Sequence, residues 1–311
     1  MKIIESIDEM QEYSQQLKRE GKTIVSVDTD AYLHDGHKAL VKIAKENADV
    51  LVLNAGHSAD YKTNLEKGTL EVYDEAEFNY RNDTFAKDVE LAKSYGVDVF
   101  FYPSMKELYV DELSISIEII EKVFDPMKNR DAFEAADSYM LNNIVSSYFP
   151  IFNVVTPDIS VVGQKDAYQS FGIKSLIKQL DLPIEVIMAP IIRDSDGLAC
   201  SSRNDFLTRS ERERAVSIYK TLHEVSTWPK YAIDIKSVEY AKEYIISHIQ
   251  SEWCSVDICC AETFEELDNL DKDAIILVMA GPFGRKGVPL HELVTGDGFN
   301  GTLTDNIFVY Q

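Results

Sequence analysis

No segment of this 311-residue chain is apolar and uninterrupted over the length that a bilayer crossing requires. The opening residues, MKIIESIDEMQEYSQQLKREGK, alternate in charge and lack the apolar stretch of a signal peptide. Cysteine is scarce as well. Cys200, Cys254, Cys259 and Cys260 have no paired spacing and two of them are adjacent, which argues against a disulfide framework and against a zinc site. Reduced thiols in a cytoplasmic protein are expected. Basic charge is also in short supply, 31 Lys and Arg against 53 Asp and Glu, for a net charge of −22. A field of that sign repels nucleic acid and anionic membrane, so neither is expected as a partner. It does not exclude a nucleotide substrate, because a local cluster of His, Lys and Arg can override it. Internal repeats and low-complexity tracts are absent.

What is present reads as an α/β protein. An apolar share of 45% with 27% charged residues is that of an ordinary globular chain, long enough for two cores. KTIVSVDTD (22–30) reads as a buried strand, GHKALVKIAKENA (36–48) as an amphipathic helix and DVLVLNAG (49–56) as a second strand. A polar loop, a helix over 84–96 and a strand over 97–103 follow. PDISVVG and IEVIMAPII then read as strands on either side of the helix AYQSFGIKSLIKQL. Alternation of this kind predicts a Rossmann-like, doubly wound parallel sheet with ligands beyond the carboxyl ends of its strands. From about Asp194 the pattern changes to two helices followed by short strand-like pieces. The expected division is therefore a nucleotide-binding catalytic domain over 1–193 and a smaller α+β domain over 194–311 that closes over it.

Three polar segments fall at the ligand-bearing edge. In LHDGH, His34 and His37 share one face at a strand-to-helix junction, where unpaired N–H groups and the helix dipole favour anions. Gly36 between them lets a ligand approach the backbone. The pair could hold a phosphate; it could equally be two solvated histidines at a helix start. VVGQKDAYQ ends a strand with Gly163, Lys165 and Asp166, and DGLACSSRN carries Ser201, Ser202 and Arg203. Each segment alone is weak, since a lysine can lie on the surface and a serine can cap a helix. Together, in this order, they are the parts needed to grip a nucleoside triphosphate attacked at its α-phosphate.

LHDGH, PDISVVGQKDAYQ, DGLACSSRN and the terminal LTDN, in this order and over the whole length, resemble the pantoate–β-alanine ligase family. The resemblance implies a catalytic core like that of class I aminoacyl-tRNA synthetases, with ATP and Mg2+ as cofactors. It implies activation of a carboxylate as an acyl-adenylate with loss of pyrophosphate, then attack by an amine to give an amide and AMP. Small acid and amine substrates and a homodimer are further implications. Carried to matching positions, His34 and His37 would stabilise the phosphates, Lys165 would neutralise them, and Ser201, Ser202 and Arg203 would close over them. Thr29, Gly36, Gly163 and Asp166 would shape the nucleotide pocket, and Gln169 would match one of the family's two acid-binding glutamines.

The departures gather around the acid. Where the family reads Pro-Thr-Met-Gly, this chain has Asp28, Thr29, Asp30 and Ala31. AGHSADY (55–61) replaces the Phe-Val-Asn-Pro-x-Gln-Phe segment, so the second glutamine falls near Tyr61, and EAADSYMLNN (134–143) stands where an Arg-Pro-Gly-His-Phe segment belongs. Asp28, Asp30, Tyr61 and Gln169 are thus expected to border an acyl pocket rebuilt for an acid other than pantoate, with the amine also open to change. The long acidic stretch over 62–80 reads as a solvated excursion. A true pantoate ligase with a divergent pocket, and a nucleotidyltransferase that stops at the adenylylated product, stay open as alternatives.

Overall fold

The computed structural model describes residues 1–29, 33–55, 61–64, 69–72, 85–108, 134–201, 204, 207–228, 238–268, 273–283 and 303–309. The first part of the chain forms β1 (Lys2–Ile4), α1 (Ile7–Arg19), β2 (Ile24–Asp28), α2 (Asp35–Asn47), β3 (Val50–Asn54), β4 (Tyr61–Asn64), β5 (Thr69–Val72), α3 (Phe85–Tyr95) and β6 (Val99–Phe101). It continues with α4 (Met105–Leu108), α5 (Glu134–Val155), β7 (Ile159–Gly163), α6 (Ala167–Gln179) and β8 (Glu185–Ala189). Six of these strands make one parallel sheet in the order β1-β6-β3-β2-β7-β8. Chain order runs outward from β2 in one direction through β3 and β6, then restarts on its other side with β7 and β8. The switch point of this doubly wound sheet therefore lies between β2 and β7, as the alternating pattern predicts.

Parity along the strands assigns each side chain to a face. Val25, Val27, Leu51, Leu53 and Phe100 pack with Val41 and Ala44 of α2 and Val89 and Ala92 of α3. Ile24, Val52, Val99 and Phe101 pack on the other face with Met10 and Leu17 of α1 and Ile151, Val154 and Val155 of α5. Both faces are covered, so the strands read as near-continuous apolar runs. Asp28 shares the parity of Ile24, and Asn54 that of Val52, which puts both on the α5 side.

The remaining elements are α7 (Arg209–Ser226), α8 (Val238–His248), β9 (Trp253–Cys260), β10 (Ala274–Gly281) and β11 (Leu303–Val309). The last three form an antiparallel sheet in the order β11-β10-β9. Every residue of β10 is buried, for a reason visible in its parity. Ile276 and Val278 pack under α7 and α8 with Ile218, Leu222 and Ile245. Ile275 and Leu277 pack on the opposite side with Ala167 and Phe171 of α6 and with Phe264. The Phe171 and Phe264 rings stack at 3.6 Å, and the Tyr168 hydroxyl donates to Asp257 at 2.6 Å. The small sheet is thereby seated on α6 of the large one.

Several boundaries differ from the sequence reading. The charged N-terminal segment, to which the sequence reading assigned no element, forms two: β1 pairs with β6, and α1 starts at a Ser6 cap with Asp8 and Glu9 in its first turn and Lys18 and Arg19 in its last. Part of the acidic excursion pairs as an antiparallel ladder, β4 with β5. The stretch containing EAADSYMLNN runs on as a 22-residue helix through Pro150. The sequence reads as a helix over SVEYAKEYIISHIQSEW (237–253), but α8 ends at His248 and Trp253 already belongs to β9. The last strand, read from the sequence as NIFVYQ (306–311), is Leu303–Val309, so the LTDN segment lies inside it.

Candidate functional site

A cleft of about 1070 Å³, part of it open to solvent, lies at the carboxyl ends of β2, β3, β7 and β8. His34 is the N-cap of α2, with extended backbone. Its Nδ1 accepts the Gly36 N–H at 3.1 Å, and the His34 N–H donates to Nδ1 of His37 at 3.2 Å. Two histidines thus do what a Ser and a Glu do in an ordinary capping box. Because both Nδ1 atoms accept, each neutral ring carries its proton on Nε2, and that N–H is what each offers to the cleft it lines. The rings lie 4.0 Å apart. Burial holds the His37 imidazole well below its ordinary value, and positive charge on His34, when that ring takes up a second proton, and on Lys165 pushes it the same way. Upstream, the buried Asp88 carboxylate accepts the Leu33 N–H at 2.9 Å and fixes the chain as it enters α2.

Gly36 has a different task from the one its position suggests. A Cβ there would stand 2.7 Å from Cε1 and 2.9 Å from Nδ1 of His34. The space a ligand was expected to use is filled by the His34 ring, and the glycine is what admits that ring.

Across the switch point, β7 ends at Gly163, and the single 3-10 turn Gln164–Asp166 presents Lys165 to the cleft. Lys165 pairs with Asp166 at 3.1 Å. Thr29 prolongs β2: its N–H and Oγ1 both donate to the Asn54 carbonyl, at 2.9 and 3.3 Å. Asp28 receives the Ser26 hydroxyl at 3.2 Å. Opposite them stand Ser147, Tyr148 and Ile151 of α5, with Gln169, Ser170 and Ile173 of α6.

The structure therefore brings His34, Gly36, His37, Gly163, Lys165, Asp166, Thr29, Asp28 and Gln169 to one cleft. Ser201 is half-buried one residue beyond the lining residue Cys200. Ser202, Arg203 and Asp30 lie outside the described residues; Tyr61 falls in β4, and its side chain lies outside them too. Cys200 donates its thiol to Asp194 at 3.3 Å, and burial, with that carboxylate, pushes it up to about 11, so it is no nucleophile at neutral pH. Sequence reasoning missed Asn54, which is 1% exposed. The available signal was a polar residue closing the apolar run VLVL at the ligand edge. It also missed the α5 wall, because Pro150 and the small polar residues scattered through MLNNIVSSYFPIFNVV obscure a helical period.

Fold and site together define a Rossmann-like protein of the His-x-Gly-His type, with polar groups gathered at the switch point of a doubly wound sheet. The model of the pantoate–β-alanine ligase family matches residues 2–290. Among relatives, the pantothenate synthetase of Caldicellulosiruptor bescii is 32% identical over 282 residues, 89% of this chain and 93% of that one. That of Acetivibrio thermocellus is 33% identical over 291 residues, 91% and 96% of the two chains. The chain belongs to the pantoate–β-alanine ligase family and is an ATP-dependent ligase that forms a carbon–nitrogen bond with release of AMP. Solved structures agree on the fold. Pantothenate synthetase from Thermus thermophilus superposes with a TM-score of 0.72 at 22% identity, covering both chains completely. Pantoate–β-alanine ligase from Francisella tularensis, complexed with β-γ ATP and β-alanine, gives 0.64 at 22% over 99% and 97% of the two chains.

Proposed function

We propose that the cleft at the switch point joins a small carboxylic acid to an amine in two steps. The acid's carboxylate oxygen attacks the α-phosphorus of ATP and pyrophosphate leaves. The amine then attacks the acyl carbon of the adenylate, loses a proton, and AMP departs as the amide forms. No covalent enzyme nucleophile is required, so the work is positioning and charge stabilisation. The observation that carries this reading is the convergence of His34, His37 and Lys165 on one cleft from the two strands that flank the switch point.

In this reading the Nε2–H groups of His34 and His37 donate to triphosphate oxygens, and Lys165 exchanges Asp166 for phosphate. Thr29, Gly36, Gly163 and Asp166 shape the nucleotide end, and Ser201, Ser202 and Arg203 close over it. Residues 194–311 act as the closing part over a catalytic part made of 1–193. Magnesium enters as the counter-ion of the triphosphate, and the working form is a cytoplasmic homodimer. The Francisella structure, complexed with β-γ ATP and β-alanine, supports the nucleotide and the kind of amine.

The acid is read as other than pantoate. Asp28 and Asn54 are register partners at adjacent strand ends and share the α5 face with Ser147 and Tyr148. A carboxylate on that wall disfavours a second one beside it and favours an acid carrying an amino group or several hydroxyls, with its own carboxylate directed toward the histidines. ATP–pyrophosphate exchange over a panel of acids, pantoate included, tests both levels. Pyrophosphate and AMP released together mark a ligase, and pyrophosphate alone a nucleotidyltransferase. The highest specificity constant for pantoate would remove the claim of a rebuilt pocket.

A further inference from the structure

Asp305 and Asn306 are consecutive residues of β11, 4% and 1% exposed, and they project to opposite sides of the strand. Each grips a different element of the cleft. The Asn306 Nδ2 group donates to the carbonyls of Gln164 and Lys165 at 2.7 and 3.1 Å, and its Oδ1 accepts from Gln164 Nε2 at 2.9 Å. Both donors of the amide and its oxygen are used on the turn that carries Lys165. Neither Gly163 before the turn nor Asp166 at its end supplies a side-chain cap; besides Asn306, the Ser170 hydroxyl holds its entry by donating to the Gly163 carbonyl at 2.8 Å. Asp305 makes a bidentate pair with Arg193 at 2.6 and 2.9 Å. Arg193 in turn donates to the carbonyls of Gly197 and Asn306, at 3.2 and 3.4 Å, and lies 4.1 Å over the Tyr219 ring. The Arg193 guanidinium thereby fixes the loop that runs through Cys200 to Ser201, which is also closed by the Arg193–Ala199 bridge.

We propose that Asn306 and Asp305 are positioning residues for adenylation, setting the Lys165 turn and the 193–201 loop at one spacing across the cleft. The role rests on the two-step reading above. A purely structural account would need only the apolar packing that β11 already has. A buried, fully satisfied amide aimed at the backbone on either side of Lys165 fixes a geometry that apolar packing does not.

The test separates the two half-reactions. Asn306→Asp keeps size but turns a carboxylate oxygen toward two carbonyls, and Gln164→Ala removes one bond of the same set from the turn's side. Ile276→Val, in the neighbouring strand, is the control for lost stability. Pyrophosphate exchange gives kcat and KM for ATP, and amide formation from preformed acyl-adenylate gives the second step. Asn306→Asp is expected to lose about tenfold to a hundredfold in exchange kcat, the scale of an ångström-sized misplacement. Gln164→Ala falls in the same direction, both stay close to wild type from preformed adenylate, and Ile276→Val changes neither rate. Equal loss of both steps, or a loss in Ile276→Val matching that in Gln164→Ala, overturns the positioning role. If Asn306→Asp does not fold, wild-type exchange in Gln164→Ala overturns it. Exchange absent from the wild type overturns the two-step reading first, and the positioning role with it.

Discussion

Gly36→Ala is the most informative single change, because it acts on His34 without touching that residue. Gly36 lies in the first turn of α2, so alanine is compatible with its conformation. The added Cβ meets the His34 ring at 2.7 Å and 2.9 Å, below any tolerable contact. The ring must swing away, which breaks the 3.1 Å cap to the Gly36 N–H and moves Nε2 out of the cleft. Losing a cap costs about 1 kcal/mol. Replacing glycine by alanine in a helix returns about 0.5–1 kcal/mol. These offset, and the unfolding temperature is expected to stay within about 3 °C of wild type. Catalysis has no such compensation: removing one preorganised donor costs about a hundredfold or more. The assay pairs thermal unfolding with ATP–pyrophosphate exchange, in wild type, Gly36→Ala, His34→Ala and the double variant. With the ring already gone, Gly36→Ala should cost no further activity and should recover stability, a non-additivity expected only when two positions act through one contact. Exchange within about threefold of wild type in Gly36→Ala would refute the placement of His34 as a phosphate donor.

Lys165→Ala is expected to suppress adenylation while leaving amide formation from preformed adenylate intact; impairment confined to the second step would contradict the assignment. Acid should destabilise the fold through His37. Its folded value lies well below the ordinary one, so as pH falls from about 6.5 the unfolded chain takes up a proton that the folded chain refuses. Stability then drops toward acid by up to about 1.4 kcal/mol per pH unit from this one group. Urea unfolding at several pH values should show a shallower slope for His37→Gln, and an unchanged slope would disprove the link. Gly197→Ala should be costly: φ is +95° and a Cβ would fall 2.2 Å from Tyr219 Cδ1. Strain and overpacking together predict a loss of at least about 2 kcal/mol in urea unfolding; a loss under about 0.5 kcal/mol would show that the loop yields freely.

Much of this was legible in the sequence because it follows from periodicity. The strands flanking the switch point are apolar runs of fixed length, and the His-x-Gly-His and Gly-Gln-Lys-Asp segments sit directly after two of them. What was not legible depends on contacts distant in the chain. Nothing local to LTDN says that its Asn306 reaches Gln164, 142 residues away. The role of Gly36 could not be read either, since it depends on which way the His34 ring turns. Helix α5 was hidden by Pro150, which removes one backbone bond and costs the pattern its period, although the helix continues on the strength of its packing with Ile24, Val52 and Phe101. The N-terminal β1 was missed because three residues at a sheet edge give too short a pattern to register.

Strand parity has one more consequence. The end proposed for the triphosphate is assembled from the start of α2 and the turn after β7, and it is held by backbone bonds and by the C-terminal strand. The end proposed for the acid is a patch of side chains, Asp28, Asn54, Ser147 and Tyr148, which stands on the α5 face. Two sets anchored on separate scaffolding inherit changes independently. Substitutions can accumulate among those side chains, or be transplanted there from another member of the family, without disturbing the caps that orient His34 and His37. What is joined can therefore diverge while the manner of activation stays constant.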